Sequence, residues 1–385
     1  MNTDAGHFDV IVVGIGGMGS AAAWRLARRG RRVLGLERFV PPHEMGSSHG
    51  LSRIIRLTYF EHPSYVPLLR RSYELWRELE RLTGEQLLYI TGALEIGAPD
   101  SVVVQGSLKS AEIHDLPHEV LTAAQAMRRF PAYRLPAEFT AILQPDGGFL
   151  DPERCIAAHI GMAQASGAEI HTGEAVLGWE PAADGVRVWT ERSSYRAERL
   201  VITAGPWAYK LIPELAGLAV PERQVLAWFQ PHQPELFTRE RFPVFVFDTS
   251  EARYYGFPMY GLPGLKVGRF HHLQEAVDPD AMDRIARPRD EEVLRAFVEL
   301  YLPEGAGPTL ALKVCLFTNS PDEHFIVDQH PDCPQVIIAA GFSGHGYKFC
   351  SVIGEILADL ALSGSTPHDT RLFRMARMGK ATEPG

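Results

Sequence analysis

A chain of 385 residues with 45% hydrophobic and 22% charged side chains exceeds what one core usually organises, so two domains are expected. Ample apolar content without like-charge blocks or low-complexity tracts excludes a disordered chain, and no apolar run of about 18 residues marks a membrane span. The net charge of −9 repels a phosphate backbone and removes nucleic acid from the expected partners.

Residues 10–24 are apolar enough to mimic a secretion signal. Asp4 and Asp9 stand where such a signal is basic, so a cytoplasmic location is expected. The cysteines Cys155, Cys315, Cys333 and Cys350 show no CxxC spacing, which fits reduced thiols rather than a disulfide scaffold. Residues 382–385 carry no retention or peroxisomal signal.

Residues 8–13 read as a short β-branched strand. They run into Gly14-Ile15-Gly16-Gly17-Met18-Gly19, a GxGxxG sequence, and then into the helix-forming residues 20–27. Gly30 closes that helix, and a second strand over 33–36 ends on Glu37, eighteen residues after Gly19. Gly14 suits a tight turn, Gly16 a close backbone approach to a pyrophosphate, and Gly19 close helix–strand packing. The helix N-terminus offers N–H groups to phosphates, and Glu37 offers an acceptor to ribose hydroxyls. A carboxylate there opposes the 2′-phosphate of NADP, leaving FAD or NAD.

Past residue 40 the pattern changes. A small-residue segment over 46–52 leads to Arg53 and Arg56, which share a face if helical and suit bidentate capture of a carboxylate or phosphate. The alternative is an ordinary solvated basic face. Residues 65–82 read as an amphipathic helix, and strands are expected near 87–96, 140–143, 169–170, 185–190, 200–202 and 225–229. Lys266 lies in an apolar strand, where a charge is costly unless paired or used. His271 and His272 point to opposite faces if extended, so at most one faces a given site. No ligand spacing marks a metal site, and none is assigned. Residues 336–340 read as a buried strand entering Gly341-Phe342-Ser343-Gly344-His345-Gly346, followed by a helix over 352–362. Glycine-rich turns at both ends of the chain suit one extended cofactor, which favours FAD over NAD.

These segments together resemble the monomeric sarcosine oxidase and N-methyl amino acid oxidase group of flavoprotein amine oxidases. The resemblance runs nearly full length and is strongest at Ser48-His49-Gly50, Arg53 to Arg56, Tyr255-Gly256-Phe257-Pro258, the Cys315 strand, Asp322-Glu323-His324-Phe325-Ile326 and residues 341–349. It implies an α/β (α+β) fold, with a Rossmann-type FAD domain over 1–85, 150–220 and 320–385. A substrate domain on a mixed β-sheet is implied over 86–149 and 221–319.

The resemblance further implies FAD carried covalently on Cys315, with Gly14, Gly16, Gly19, Glu37, Arg38, Ser47, His49, Ser52, Arg53, Gly344, Gly346 and Lys348 around the cofactor. Arg56 and Lys348, with Tyr255, would bind a small amino-acid substrate. Lys266, Arg53, His271 and Tyr255 would serve catalysis, with Lys266 promoting reaction with O2. The implied reaction is oxidation of a secondary amino acid such as sarcosine to an imine that water hydrolyses, with O2 reduced to H2O2, by a monomer.

Phe317 stands where sarcosine oxidases carry tyrosine, Val246 replaces a larger methionine, and His271 meets the family histidine only if one extra residue precedes it. A roomier, less polar pocket and a bulkier N-methyl or cyclic substrate are therefore expected. Alternatives are a fructosyl amino acid oxidase, a flavin amine dehydrogenase using another electron carrier, and an FAD-binding protein without turnover, against which the paired cations argue.

Overall fold

The computed structural model describes residues 4–379, so the targeting reading of residues 382–385 lies outside it. The first strand, Asp4–Val13, carries the fully buried run Val10, Ile11, Val12 because neighbours cover both of its faces. It pairs in parallel with Val33–Glu37 on one side and Ser194–Ile202 on the other. The parallel set continues outward to Glu169–Thr172 beyond Val33–Glu37 and to Cys333–Ala340 beyond Ser194–Ile202. Antiparallel strands extend it: Ile326–His330 beside Cys333–Ala340, and Gly185–Thr190 with Val176–Ala182 along the start of Ser194–Ile202. Helices Gly17–Arg28, Pro152–Ala165 and Cys350–Ser363 share one core with this sheet. Gly354 lets the first and last of them cross closely, since a Cβ there would lie 2.6 Å from Ala21 Cβ.

A second sheet has the order Thr309–Asn319, Val220–Phe229, Leu265–Arg269, Arg253–Phe257, Val244–Asp248, Ala93–Gly97, Thr140–Gln144, Glu119–Thr122. It is mixed, because Val244–Asp248 and Ala93–Gly97 run parallel while the other pairs are antiparallel. One face packs a phenylalanine-rich core against helix Pro288–Tyr301. The alternation of side chains turns Leu226, Trp228, Cys315, Val246, Tyr255 and Phe257 to the other face.

A three-stranded sheet, Arg53–Ile55, Gly148–Leu150, Leu88–Ile90, adds a third element. Arg53 therefore lies in a strand, and the helical expectation for 53–56 fails: Arg53 pairs with Leu150 and Ile55 with Gly148. The helix expected over 65–82 is Val66–Thr83, ended by Gly84 at φ +73°. Among the described residues, no helix is long and apolar enough to cross a membrane.

Candidate active site

Where the first strand meets helix Gly17–Arg28, the backbone turns too tightly for side chains. Gly14 has φ +86°, and a Cβ there would stand 2.6 Å from the Thr203 carbonyl oxygen. A Cβ at Gly19 would lie 1.8 Å from the Gly14 carbonyl oxygen. Gly16 instead meets nothing within 4 Å, because it borders a cleft of about 660 Å³. Gly16 is also the helix N-cap and supplies no side-chain cap, so the first N–H groups remain available to an anion.

At the end of Val33–Glu37 the Glu37 carboxylate is fixed by N–H groups of Ile15 (2.8 Å) and Phe39 (2.9 Å) while bordering the same cleft. The second glycine turn closes the other side: a Cβ on Gly17 would meet Cys350 Sγ at 2.7 Å and Tyr347 at 3.0 Å. Arg38, Ser47, Arg53, Gly344 and Gly346 also line the cleft. A cleft of this volume, with uncapped amides at one end and a fixed carboxylate beyond, fits an extended dinucleotide such as FAD.

A compact cavity of about 50 Å³ adjoins it, sharing Arg53, Phe317, Gly344 and Tyr347. Its walls are apolar: Ile54, Leu226, Val246, Tyr255, Phe257 and Phe270. Tyr255 and Phe270 meet edge-on at 5.0 Å, and Phe270 lies 6.0 Å from Phe317. Cys315 also borders this cavity.

Besides Arg53, two further cations converge on it, Arg56 and Lys348, both buried. Arg56 donates from Nη2 to both Glu61 oxygens (3.0 and 2.9 Å) and from Nη1 to the Thr58 carbonyl (2.6 Å). Lys348 Nζ donates to the His345 carbonyl at 2.7 Å. Burial, then the nearby Arg56, lowers the Lys348 pKa to about 7. His345 is pushed down to about 4 by burial, so it is neutral. Its ring Nε2 lies 2.9 Å from the Glu323 carbonyl and must donate, leaving Nδ1 to accept from Tyr59 Oη at 2.5 Å.

One layer behind, Lys266 Nζ donates to Gly50 O (2.6 Å), Ser52 O (2.8 Å) and Ser52 Oγ (3.0 Å). It also sits 4.2 Å from the centre of the Phe257 ring. Burial and then Arg53 lower its proton affinity, while three acceptors hold its three protons. Arg53 Nη2 donates to the Ser47 carbonyl at 2.8 Å and lies 3.7 Å from Cys315 Sγ. His49, its two ring nitrogens buried without partners, is pushed to about 3 by burial and then Arg53.

Arg53, Arg56, Tyr255, Cys315, Gly344 and Lys348 thus meet at the small cavity, with Lys266 and Ser52 behind. His271 does not join them. The strand Leu265–Arg269 ends before it, Phe270 fills the wall, and His271 turns away at φ +52° to Glu222 (3.2 Å) and Glu323 (2.9 Å). The same ring limits the room in the small cavity. The walls are apolar as Phe317 and Val246 suggest, yet Phe270 occupies space, and 50 Å³ is on the order of four water molecules. Sequence reasoning passed over Glu61, Phe270, His345 and Glu95. A signal existed for Glu95, a lone acid inside an apolar strand.

The FAD dependent oxidoreductase family model matches residues 9–360. The chain is 45% identical over 379 residues to the monomeric sarcosine oxidase of Streptomyces avermitilis, covering 97% of this chain and 98% of that protein. It is 34% identical to the N-methyl-L-tryptophan oxidase of Yersinia pestis, covering 96% and 99%. Among solved structures, NikD, an unusual amino acid oxidase essential for nikkomycin biosynthesis, superimposes with a TM-score of 0.83 at 29% identity, covering 97% and 98%. With both glycine turns and the sheet between them inside the matched span, this chain belongs to the FAD dependent oxidoreductase family.

Proposed function

We propose that the protein oxidises a small secondary amino acid, of which sarcosine has the fitting size, using FAD and O2 and releasing H2O2. The observation that carries this reading is the convergence of Arg56 and Lys348 on a small cavity with apolar walls that adjoins the cofactor cleft. When bound, FAD supplies the two-electron oxidation of the amine and the passage of electrons to O2.

The chain's own side chains do the rest. Arg56, already paired with Glu61, and Lys348, hydrogen-bonded among the described residues only to the His345 carbonyl, receive the substrate carboxylate, which balances the buried Lys348 charge. Tyr255, Phe270 and Phe317 exclude water and press on the N-alkyl group. Lys266 offers a fixed positive charge beside Arg53 where negative charge develops on oxygen. Cys315, free and buried, is the proposed covalent attachment point through a thioether, with the Arg53 cation 3.7 Å from its sulfur. The small cavity volume favours sarcosine over an indole-bearing or sugar-bearing substrate. We place the enzyme in the cytoplasm as a monomer, which size-exclusion chromatography tests.

Peroxide release from sarcosine, proline, N-methyl-tryptophan and a fructosyl amino acid, compared by kcat/KM, is the test. Sarcosine is expected to lead; a lead by N-methyl-tryptophan or the fructosyl substrate overturns the reading. Acid precipitation of the yellow protein should leave colour in the pellet, and Cys315→Ala should release it to the supernatant.

A further inference from the structure

Glu95 sits in the middle of the apolar strand Ala93–Gly97 and is 0% exposed. Its strand neighbours are Ile142 on one side and Val246 on the other, neither of which can hydrogen-bond through its side chain. A carboxylate in that place destabilises the sheet unless another group uses it. Both of its oxygens lie within hydrogen-bond distance of Thr58 Oγ1, at 2.9 and 2.8 Å, and Oε1 lies 3.5 Å from Arg56 Nε.

The Arg56 guanidinium is therefore gripped on all sides, but unevenly. Glu61, on Nη2, borders the substrate cavity; Glu95 on Nε and the Thr58 carbonyl on Nη1 stand outside its lining. We propose that Glu95 is a positioning residue: it holds Nε of the Arg56 guanidinium, with the Thr58 carbonyl on Nη1, so that Nη2 is presented at the cavity, where Glu61 and the substrate carboxylate share it. This rests on the reading of Arg56 as the carboxylate-binding cation.

The protonation of Glu95 agrees with this role. Burial raises its pKa to about 8, against the lowering effect of Arg56 and of the Thr58 hydrogen bond. At neutral pH it is largely an uncharged acid, which gives its proton to Thr58 Oγ1 and keeps Oε1 as the acceptor toward Arg56 Nε. It orients the guanidinium without cancelling the charge that Glu61 already offsets. An ionised carboxylate at the same place would compete with the substrate for Arg56.

The test titrates the flavin-loaded enzyme with sodium acetate, an inert carboxylate, by calorimetry and by the flavin spectrum, and measures KM and kcat for sarcosine. Glu95→Leu is expected to raise the acetate Kd and the sarcosine KM about tenfold while kcat at saturation stays within about twofold. Glu95→Gln, which keeps an acceptor for Nε and a donor for Thr58 Oγ1, should stay within about threefold of the parent on both. Unchanged Kd and KM in Glu95→Leu overturn the proposal, and so does an equal loss in Glu95→Gln.

Should Glu95→Leu not fold, Thr58→Val decides. It removes the hydroxyl that orients Glu95 and should raise the acetate Kd about threefold; no rise overturns the proposal. Arg56→Met separates the two levels. If it abolishes acetate binding while the Glu95 and Thr58 variants do not weaken it, only the positioning role falls. If it leaves acetate binding intact, the carboxylate-binding reading falls and the positioning role with it.

Discussion

Lys348 and His271 sit at opposite ends of what burial and charge do to a proton. Burial and Arg56 bring the Lys348 pKa down to about 7, so the carboxylate-binding pair loses one charge as pH rises through neutrality. Acetate affinity should be flat below about pH 6 and weaken above about pH 7, with the step near pH 7 gone in Lys348→Met and only a fall near pH 8, where Glu95 ionises, remaining; a parent profile flat to pH 9 would refute this. At His271 the partners Glu222 and Glu323 raise the pKa to about 9 from an unfolded value near 6.5. A raised folded pKa means stabilisation that is complete below about 6.5 and lost as pH climbs through 9. The melting temperature should therefore fall by a few degrees between those pH values, and His271→Gln should flatten that fall.

What the sequence disclosed at this scale depended on locality. Lys266 is legible because a charge inside an apolar strand needs a partner, and the same rule applies to Glu95. Phe270 is not legible, because what aims it is the end of a strand and a left-handed residue at 271 that no glycine announces, and Glu61 is not, because it lies in the irregular stretch between Arg53–Ile55 and Val66–Thr83.

At the scale of elements, the pairing of Thr309–Asn319 with Val220–Phe229 sets where Cys315 and Phe317 face, since Cys315 opposes Gln224 and Phe317 opposes Glu222. The glycine turn over 341–346 then packs on Phe317: a Cβ at Gly344, where φ is +74°, would come within 2.3 Å of that ring. Gly344→Ala should cost about 1–2 kcal/mol for the left-handed backbone and push Phe317 into both cavities. Flavin content, read from the ratio of visible to ultraviolet absorbance, is expected to drop more steeply than the melting temperature; full flavin loading would contradict this. The nucleotide-binding unit was legible in the sequence because strand, glycines, helix and acid follow one another within forty residues. The placement of Arg53 was not, since its strand exists only by pairing with Gly148–Leu150, about a hundred residues away.

At the scale of the molecule, the segment between Leu265–Arg269 and Pro288–Tyr301 leaves the second sheet and fastens onto the cofactor-binding half. Asp280 takes Arg38 (2.5 Å), Lys210 (2.6 Å) and the Trp207 indole N–H (2.8 Å) while bordering the cleft. Arg284 donates to the Met45 carbonyl at 2.9 Å, and His271 reaches Glu323. Partly exposed ion pairs of this kind contribute about 1 kcal/mol together and weaken with salt. In a Cys315→Ala background, where FAD can leave, Asp280→Ala should speed FAD dissociation about fivefold at low salt, and high salt should bring the parent toward the same rate. Equal rates at low salt would show that this crossing plays no part in retaining the cofactor.

The central strand Asp4–Val13 takes one partner from residues 194–202, and that strand in turn takes Cys333–Ala340. On the ribosome, the amino-terminal glycine turn emerges long before either, and the second turn comes nearly last. A growing chain thus holds an apolar half-site open to solvent for most of its synthesis. A chain released before residue 341 would lack the Gly344 and Gly346 wall of the cofactor cleft.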